Sequence, residues 1–264
     1  MTRVEAAFAR AKAESRCALI PFLVAGDPNA EVGEAILQAV AGSGADLIEL
    51  GVPYSDPFGD GPTIVAASQR ALEAGATMDS AIELAAKSPV PAILFTYANP
   101  VMRYGIERLA ERLAAAGACG AIIPDLPLEE TRSIAPIFAR HGLVMPLLVA
   151  PTTPPERARR IVAESSGFVY LVARLGVTGA GDLLRTAELE ARILQLRAWT
   201  ALPIAIGFGI SRPGHVSAMS RLADGVIVGS ALIDAYAAAP RAEQARTAGA
   251  FVAKLFASTE WERV

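Results

Sequence analysis

Eight short apolar runs of β type recur along the 264 residues, separated by stretches with apolar residues at helical spacing. They are CALIPFLVAG (17–26), ADLIELGV (45–52), VPAILFTYA (90–98), ACGAIIP (118–124), LVMPLLVAP (143–151), GFVYLVA (167–173), LPIAIGFG (202–209) and ADGVIVG (223–229). Runs that are apolar on both faces suit a parallel sheet covered by crossover helices. The intervening stretches, such as AEVGEAILQAVAGSG and GIERLAERLAAAG, repeat apolar residues at the helical period and end at Gly-Ala or a polar turn. Eight such units in a chain of this length predict an α/β fold of the TIM (β/α)8 barrel type, which typically takes about 250 residues. The alternative, an open doubly wound sheet, usually has fewer strands or a second domain. No Pro/Ser-rich linker, charge block or composition shift interrupts the pattern, so one barrel domain over 1–264 is expected. The opening MTRVEAAFARAKAES carries acids and bases on a helical period and no continuous apolar segment, which predicts an extra N-terminal helix and not a signal peptide.

Charge excludes some partners. With 24 Lys+Arg against 27 Asp+Glu, a net charge of -3 leaves no basic surplus for a nucleic-acid backbone or an anionic membrane. No apolar run reaches the roughly 18 residues that span a bilayer, so a soluble cytoplasmic protein is expected. Cys17 and Cys119 both fall in apolar runs and read as reduced core thiols.

In such a barrel, chemistry sits at the carboxyl ends of the strands. In DLIELGV, Ile48, Leu50 and Val52 share one face and Leu47, Glu49 and Gly51 the other. Branched residues suit the helix side, which turns Glu49 into the interior. A carboxyl there is costly to desolvate unless paired or protonated. The three lysines, Lys12, Lys87 and Lys254, lie in helical stretches, so none is placed to pair with it, whereas Arg174 after the sixth strand could be. Unpaired, Glu49 would have a raised pKa and serve as an acid or base near neutral pH. The next loop, GVPYSDPFGDGPTIVAAS, holds Asp56, which a tight turn explains, and Asp60, set between two glycines where it can be aimed at a ligand.

Glycine-bearing segments follow the last three strands: GVTGAG (176–181), GFGIS (207–211) and Gly229-Ser230. Exposed backbone N–H groups there, with helices beginning at Ser211 and Ser230, predict an anion site; the competing reading is that the glycines only cap turns. No lysine at a strand end is available for a Schiff base, and His141 and His215 are too dispersed for a metal site, so both read as structural and no metal is expected. Proton transfer by carboxyls on a phosphorylated substrate remains, hence an isomerase or a lyase.

The motifs PFLVAGDPN, ELGVPYSDPFGDGPTI, YANPVMRYG, IIPDLPLEE, GVTGA, GFGIS and VGSA, in this order along nearly the whole chain, resemble the tryptophan synthase alpha chain family. The resemblance implies retro-aldol cleavage of indole-3-glycerol phosphate to indole and glyceraldehyde 3-phosphate. It implies Glu49 as general acid and base and Asp60 as the group that stabilises the positive indolenine. By the same carry-over Gly179, Gly209, Gly229 and Ser230 are phosphate ligands, Phe22, Tyr170 and Phe208 line the indole pocket, and Thr178 closes a lid. The implied partner is a β chain carrying pyridoxal phosphate in an α2β2 heterotetramer, touched by Asp56, Pro57, Asn99 and Pro127, with no cofactor in this chain. Two rival readings are a stand-alone indole-3-glycerol-phosphate lyase and a barrel that only binds and activates the β chain. Val24, Gly59, Val65 and Ala173 depart from the family's usual Thr, Ala, Gln and Ser.

Overall fold

The computed structural model describes residues 1–173, 186–207 and 209–260. Eight strands alternate with helices: β1 Ala18–Val24, β2 Ile48–Gly51, β3 Ala92–Phe95, β4 Ala121–Ile122, β5 Leu147–Val149, β6 Val169–Val172, β7 Ile204–Gly207 and β8 Gly225–Val228. The first six helices are α1 Arg3–Ala13, α2 Ala30–Ala41, α3 Pro62–Glu73, α4 Met78–Ala86, α5 Ala98–Tyr104 and α6 Ile106–Ala115. The remainder are α7 Leu128–Arg140, α8 Pro155–Glu164, α9 Thr186–Arg197, α10 Pro213–Ser220, α11 Ser230–Ala237 and α12 Gln244–Phe256. All strand pairs are parallel, in the order β4-β3-β2-β1-β8-β7-β6-β5.

The two ends of that order meet through one bridge, Gly120 to Val144, with Val144 N–H donating to Cys119 O and Ala121 N–H donating to Val144 O. A Cβ at residue 120 would collide with the Val144 carbonyl, so only glycine lets the strands approach and the barrel close. The expected eight-unit barrel is therefore what forms, although the paired segments are shorter than the apolar runs that announced them.

The extra N-terminal helix is α1, started by a capping box in which Thr2 and Glu5 exchange hydrogen bonds. Its Phe8 packs on Phe168 at the start of β6, ring centroids 5.5 Å apart, and so covers the amino-terminal end of the barrel. That end is locked by Asp46, a buried carboxylate that accepts from Arg16 Nη2 at 2.9 Å, from Arg10 Nη2 at 3.0 Å and from Leu19 N–H at 3.0 Å. Arg16→Lys keeps the charge and loses the planar fork; we expect about 1.5–3 kcal/mol of destabilisation, read by urea unfolding. With that end covered, ligand access is left to the opposite mouth.

Both cysteines are free and buried, as their apolar runs implied, and burial pushes the Cys17 thiol up to about 12. Lys12 lies in α1, Lys87 caps the C-terminus of α4 and Lys254 lies in α12, so none of the three is carried by the segment that follows the carboxyl end of a strand. Among the described residues no helix is long and apolar enough to cross a membrane.

Candidate active site

Alternation along β2 places Glu49 in the barrel interior, in register with Phe22 of β1 and Ile93 of β3. The carboxyl is 1% exposed, and neither oxygen has a hydrogen-bond partner among the described residues. Desolvation alone pushes its pKa up to about 8, so at neutral pH it holds a proton. A salt-bridge explanation would require a cation; the one nominated from sequence, Arg174, lies outside the described residues.

Across the barrel Tyr170 projects from β6, almost fully buried. Burial first, then the charges of Glu49 and Asp60, raise its hydroxyl well above the usual range. Tyr170 is thus near enough to feel the charge of both acids. Phe22 stands on the neighbouring wall, edge-on to Phe95 with centroids 5.7 Å apart and its ring beside Gly229.

Asp60 occupies the last loop position before Gly61, the N-cap of α3. Burial raises its carboxyl to about 6, and a hydrogen bond from the Tyr97 hydroxyl holds it from rising further. Near pH 7 it is mostly ionised. The two acids thus stand in opposite protonation states at the same mouth, the arrangement that lets two carboxyls take different tasks.

Tyr97 escaped the sequence reading. It follows Ile93 and Phe95 at period two, so the alternation that turned Glu49 inward also marks Tyr97. Gly59, one of the departures from the family pattern, bears on this contact: a Cβ there would stand 3.2 Å from the Tyr97 hydroxyl. Val24 and Ala173, two others, are buried and apolar. Val65, the fourth, is exposed on α3, and nothing in its surroundings explains the difference.

The expected anion site is only partly described. Gly229 is the N-cap of α11, which begins at Ser230 as expected. The helix after β7 does not begin at Ser211: α10 starts at Pro213 with Arg212 as N-cap, because proline at the first helical position fixes the start. Gly209 takes a positive φ of 90° in the turn between β7 and α10. His215 lies in α10, where Arg212 Nε donates to its Nε2 at 2.8 Å, and His141 is the C-cap of α7. Gly179, the lid residue Thr178 and the pocket residue Phe208 lie outside the described residues.

The four expected partner contacts lie on the rim of the same mouth. Asp56, Asn99 and Pro127 are exposed and Pro57 is half-buried. Ser55 Oγ donates to Asp56 Oδ2 at 2.8 Å, and Asn99 Nδ2 to the Tyr54 hydroxyl at 2.8 Å.

On fold and geometry alone this is a (β/α)8 barrel with two desolvated carboxyls at its mouth, a build that suits an enzyme of the acid–base class. The profile of the tryptophan synthase alpha chain family matches residues 8–259. The tryptophan synthase alpha chain of Chloroflexus aggregans is 47% identical over 98% of this chain and 99% of its own length. That of Prochlorococcus marinus is 45% identical, over 97% of each. Among solved structures, a Mycobacterium tuberculosis tryptophan synthase chain superposes with a TM-score of 0.90 at 36% identity, covering 99% of both chains. The Legionella pneumophila tryptophan synthase subunit alpha gives 0.88 at 33% identity, covering 98% of both. The chain belongs to the tryptophan synthase alpha chain family, the lyase subunits that cleave indole-3-glycerol phosphate.

Proposed function

We propose that Glu49 and Asp60 divide the retro-aldol cleavage of indole-3-glycerol phosphate between them within one barrel domain spanning 1–264. The observation that carries this is the desolvated Glu49 carboxyl, with both oxygens unbonded among the described residues and its pKa near 8. Glu49 gives its proton to indole C3; as a carboxylate it then accepts the glycerol hydroxyl proton while the carbon–carbon bond breaks. Asp60, ionised, accepts the ring N–H and balances the positive indolenine. Indole and glyceraldehyde 3-phosphate leave, and Glu49 ends protonated as it began.

The substrate phosphate is assigned to Gly179, Gly209, Gly229 and Ser230, at the mouth where α11 starts, since a helix N-terminus favours an anion. Phe22, Tyr170 and Phe208 are assigned to the indole ring, and Thr178 to the lid that excludes water during cleavage. Asp56, Pro57, Asn99 and Pro127 are assigned to the docking rim for the β chain. That chain would hold the pyridoxal phosphate and take the indole, with the assembly an α2β2 heterotetramer in the cytoplasm.

The function is tested by incubating the purified chain with indole-3-glycerol phosphate, with and without a β chain, and measuring indole and glyceraldehyde 3-phosphate. Slow release that the β chain accelerates is expected; full speed alone would instead indicate a stand-alone lyase, and no release would end the reading. Ser230→Asp should raise KM by roughly tenfold or more, because a carboxylate at the helix start repels the phosphate. An unchanged KM would displace the anion site.

Ionisation sets the pH profile. Cleavage needs Glu49 protonated, so kcat/KM should fall as pH rises through about 8, and needs Asp60 ionised, so it should fall as pH drops through about 6. The substrate phosphate also titrates near pH 6, so a second variant separates the two. The Tyr97 hydrogen bond lowers the Asp60 pKa; Tyr97→Phe should therefore move the acid limb to higher pH. An acid limb that stays put would belong to the phosphate and not to Asp60.

A further inference from the structure

Helices α3 and α11 start at the two halves of the proposed site: α3 directly after Asp60 and Gly61, α11 at Gly229 and Ser230. The two helices are clasped at two depths. Near the mouth, Thr63 Oγ1 in the first turn of α3 donates to Asp234 Oδ1 in the second turn of α11 at 2.9 Å. Deeper, Asp27 in the loop after β1 accepts from Arg70 Nε at 2.7 Å, from Arg70 Nη2 at 2.9 Å and from the Tyr236 hydroxyl at 2.6 Å. Arg70 belongs to α3 and Tyr236 to α11, so one carboxylate ties both helices to the strand that carries Phe22.

The deep layer is a buried, charge-assisted network: the Asp27 side chain is fully covered and Tyr236 is 1% exposed. Such networks rigidify the elements they join. The upper bond differs. Thr63 is half-buried and Asp234 exposed, so this bond adds little to stability while sitting within a turn or so of both helix starts. A bond of that kind acts on register more than on folding, and small shifts at a reacting group have large effects on rate.

We propose that the Thr63–Asp234 clasp, on its Asp27–Arg70–Tyr236 base, registers the phosphate-binding end of α11 against the end of α3 that carries Asp60. A phosphate seated at Ser230 then holds Asp60 in its working position, and binding energy from a non-reacting group is used at the reacting one. Thr63 and Asp234 are positioning residues. The inference rests on the assignment of the substrate phosphate to Gly229 and Ser230.

The test uses the chain in complex with a β chain and a substrate in two pieces: indole-3-glycerol, which lacks the phosphate, with and without inorganic phosphite. Phosphite should accelerate cleavage by the unaltered protein by about tenfold or more. Thr63→Val should leave phosphite-free cleavage and the thermal midpoint unchanged, yet lose about fivefold or more of the activation. Thr63→Ser, which keeps the hydroxyl, should restore it. With the intact substrate, Thr63→Val should lower kcat by a similar factor. Full activation in Thr63→Val, or no activation in the unaltered protein while it still cleaves indole-3-glycerol phosphate, would overturn the clasp and leave the cleavage reading standing. Absence of cleavage of the intact substrate would instead overturn that reading.

Discussion

Glu49→Gln is expected to lose indole formation by about 10²–10⁴-fold, the usual contribution of a general acid–base group, while making the fold more stable at alkaline pH. The amide fills the same space but has no proton to deliver to C3 and cannot take up the hydroxyl proton. The stability effect follows from linkage. The folded pKa, about 8, lies above the ordinary carboxyl value of 4.5, so the folded chain binds the extra proton between those limits. Stability of the unaltered protein therefore falls as pH rises from about 4.5 to about 8, at up to roughly 1.4 kcal/mol per pH unit, and is flat on either side. The glutamine variant escapes that loss. Urea unfolding should find its advantage small at pH 5 and fully grown above pH 8. A variant that stays active, or an advantage that does not vary with pH, would place the ionisation of Glu49 elsewhere.

Asp60→Asn is expected to cost about 10²–10³-fold in kcat, on the scale of removing one preorganised electrostatic partner from a reacting charge. The amide keeps the shape and a hydrogen-bonding oxygen for the ring N–H but supplies no negative charge to the indolenine. Binding should suffer less than turnover, because the uncharged ground state gains little from the carboxylate. Tyr97, which donates to the carboxylate, can equally donate to the amide oxygen, so the loop should stay placed. If KM rose and kcat did not fall, Asp60 would be a binding group only.

The barrel was legible because each parallel strand is apolar on both faces, and Glu49 was legible because it places an acid within the apolar run LIELGV at a position that alternation turns inward. Closure between Gly120 and Val144 was not, since it depends on a single bridge at the margins of the fourth and fifth runs. The start of α10 was misplaced at Ser211, a good capping type, although Pro213 two residues later carried the stronger signal. Tyr97 was available from parity along the third run, 90–98, because Ile93 and Phe95 precede it at period two, the parity that turned Glu49 inward in the second run. The Asp27–Arg70–Tyr236 network joins residues 43 and 209 positions apart, and no local pattern announces a contact of that separation.

Cleavage by the proposed route requires Glu49 to carry a proton at neutral pH. Infrared difference spectra between the unaltered chain and Glu49→Gln, recorded from pH 5 to pH 10, read that proton directly through the carbonyl stretch of the neutral carboxyl. The expected result is a protonated-carboxyl band at pH 7 that is absent from the variant and disappears with a midpoint near pH 8. A carboxylate band already complete at pH 7 would contradict it.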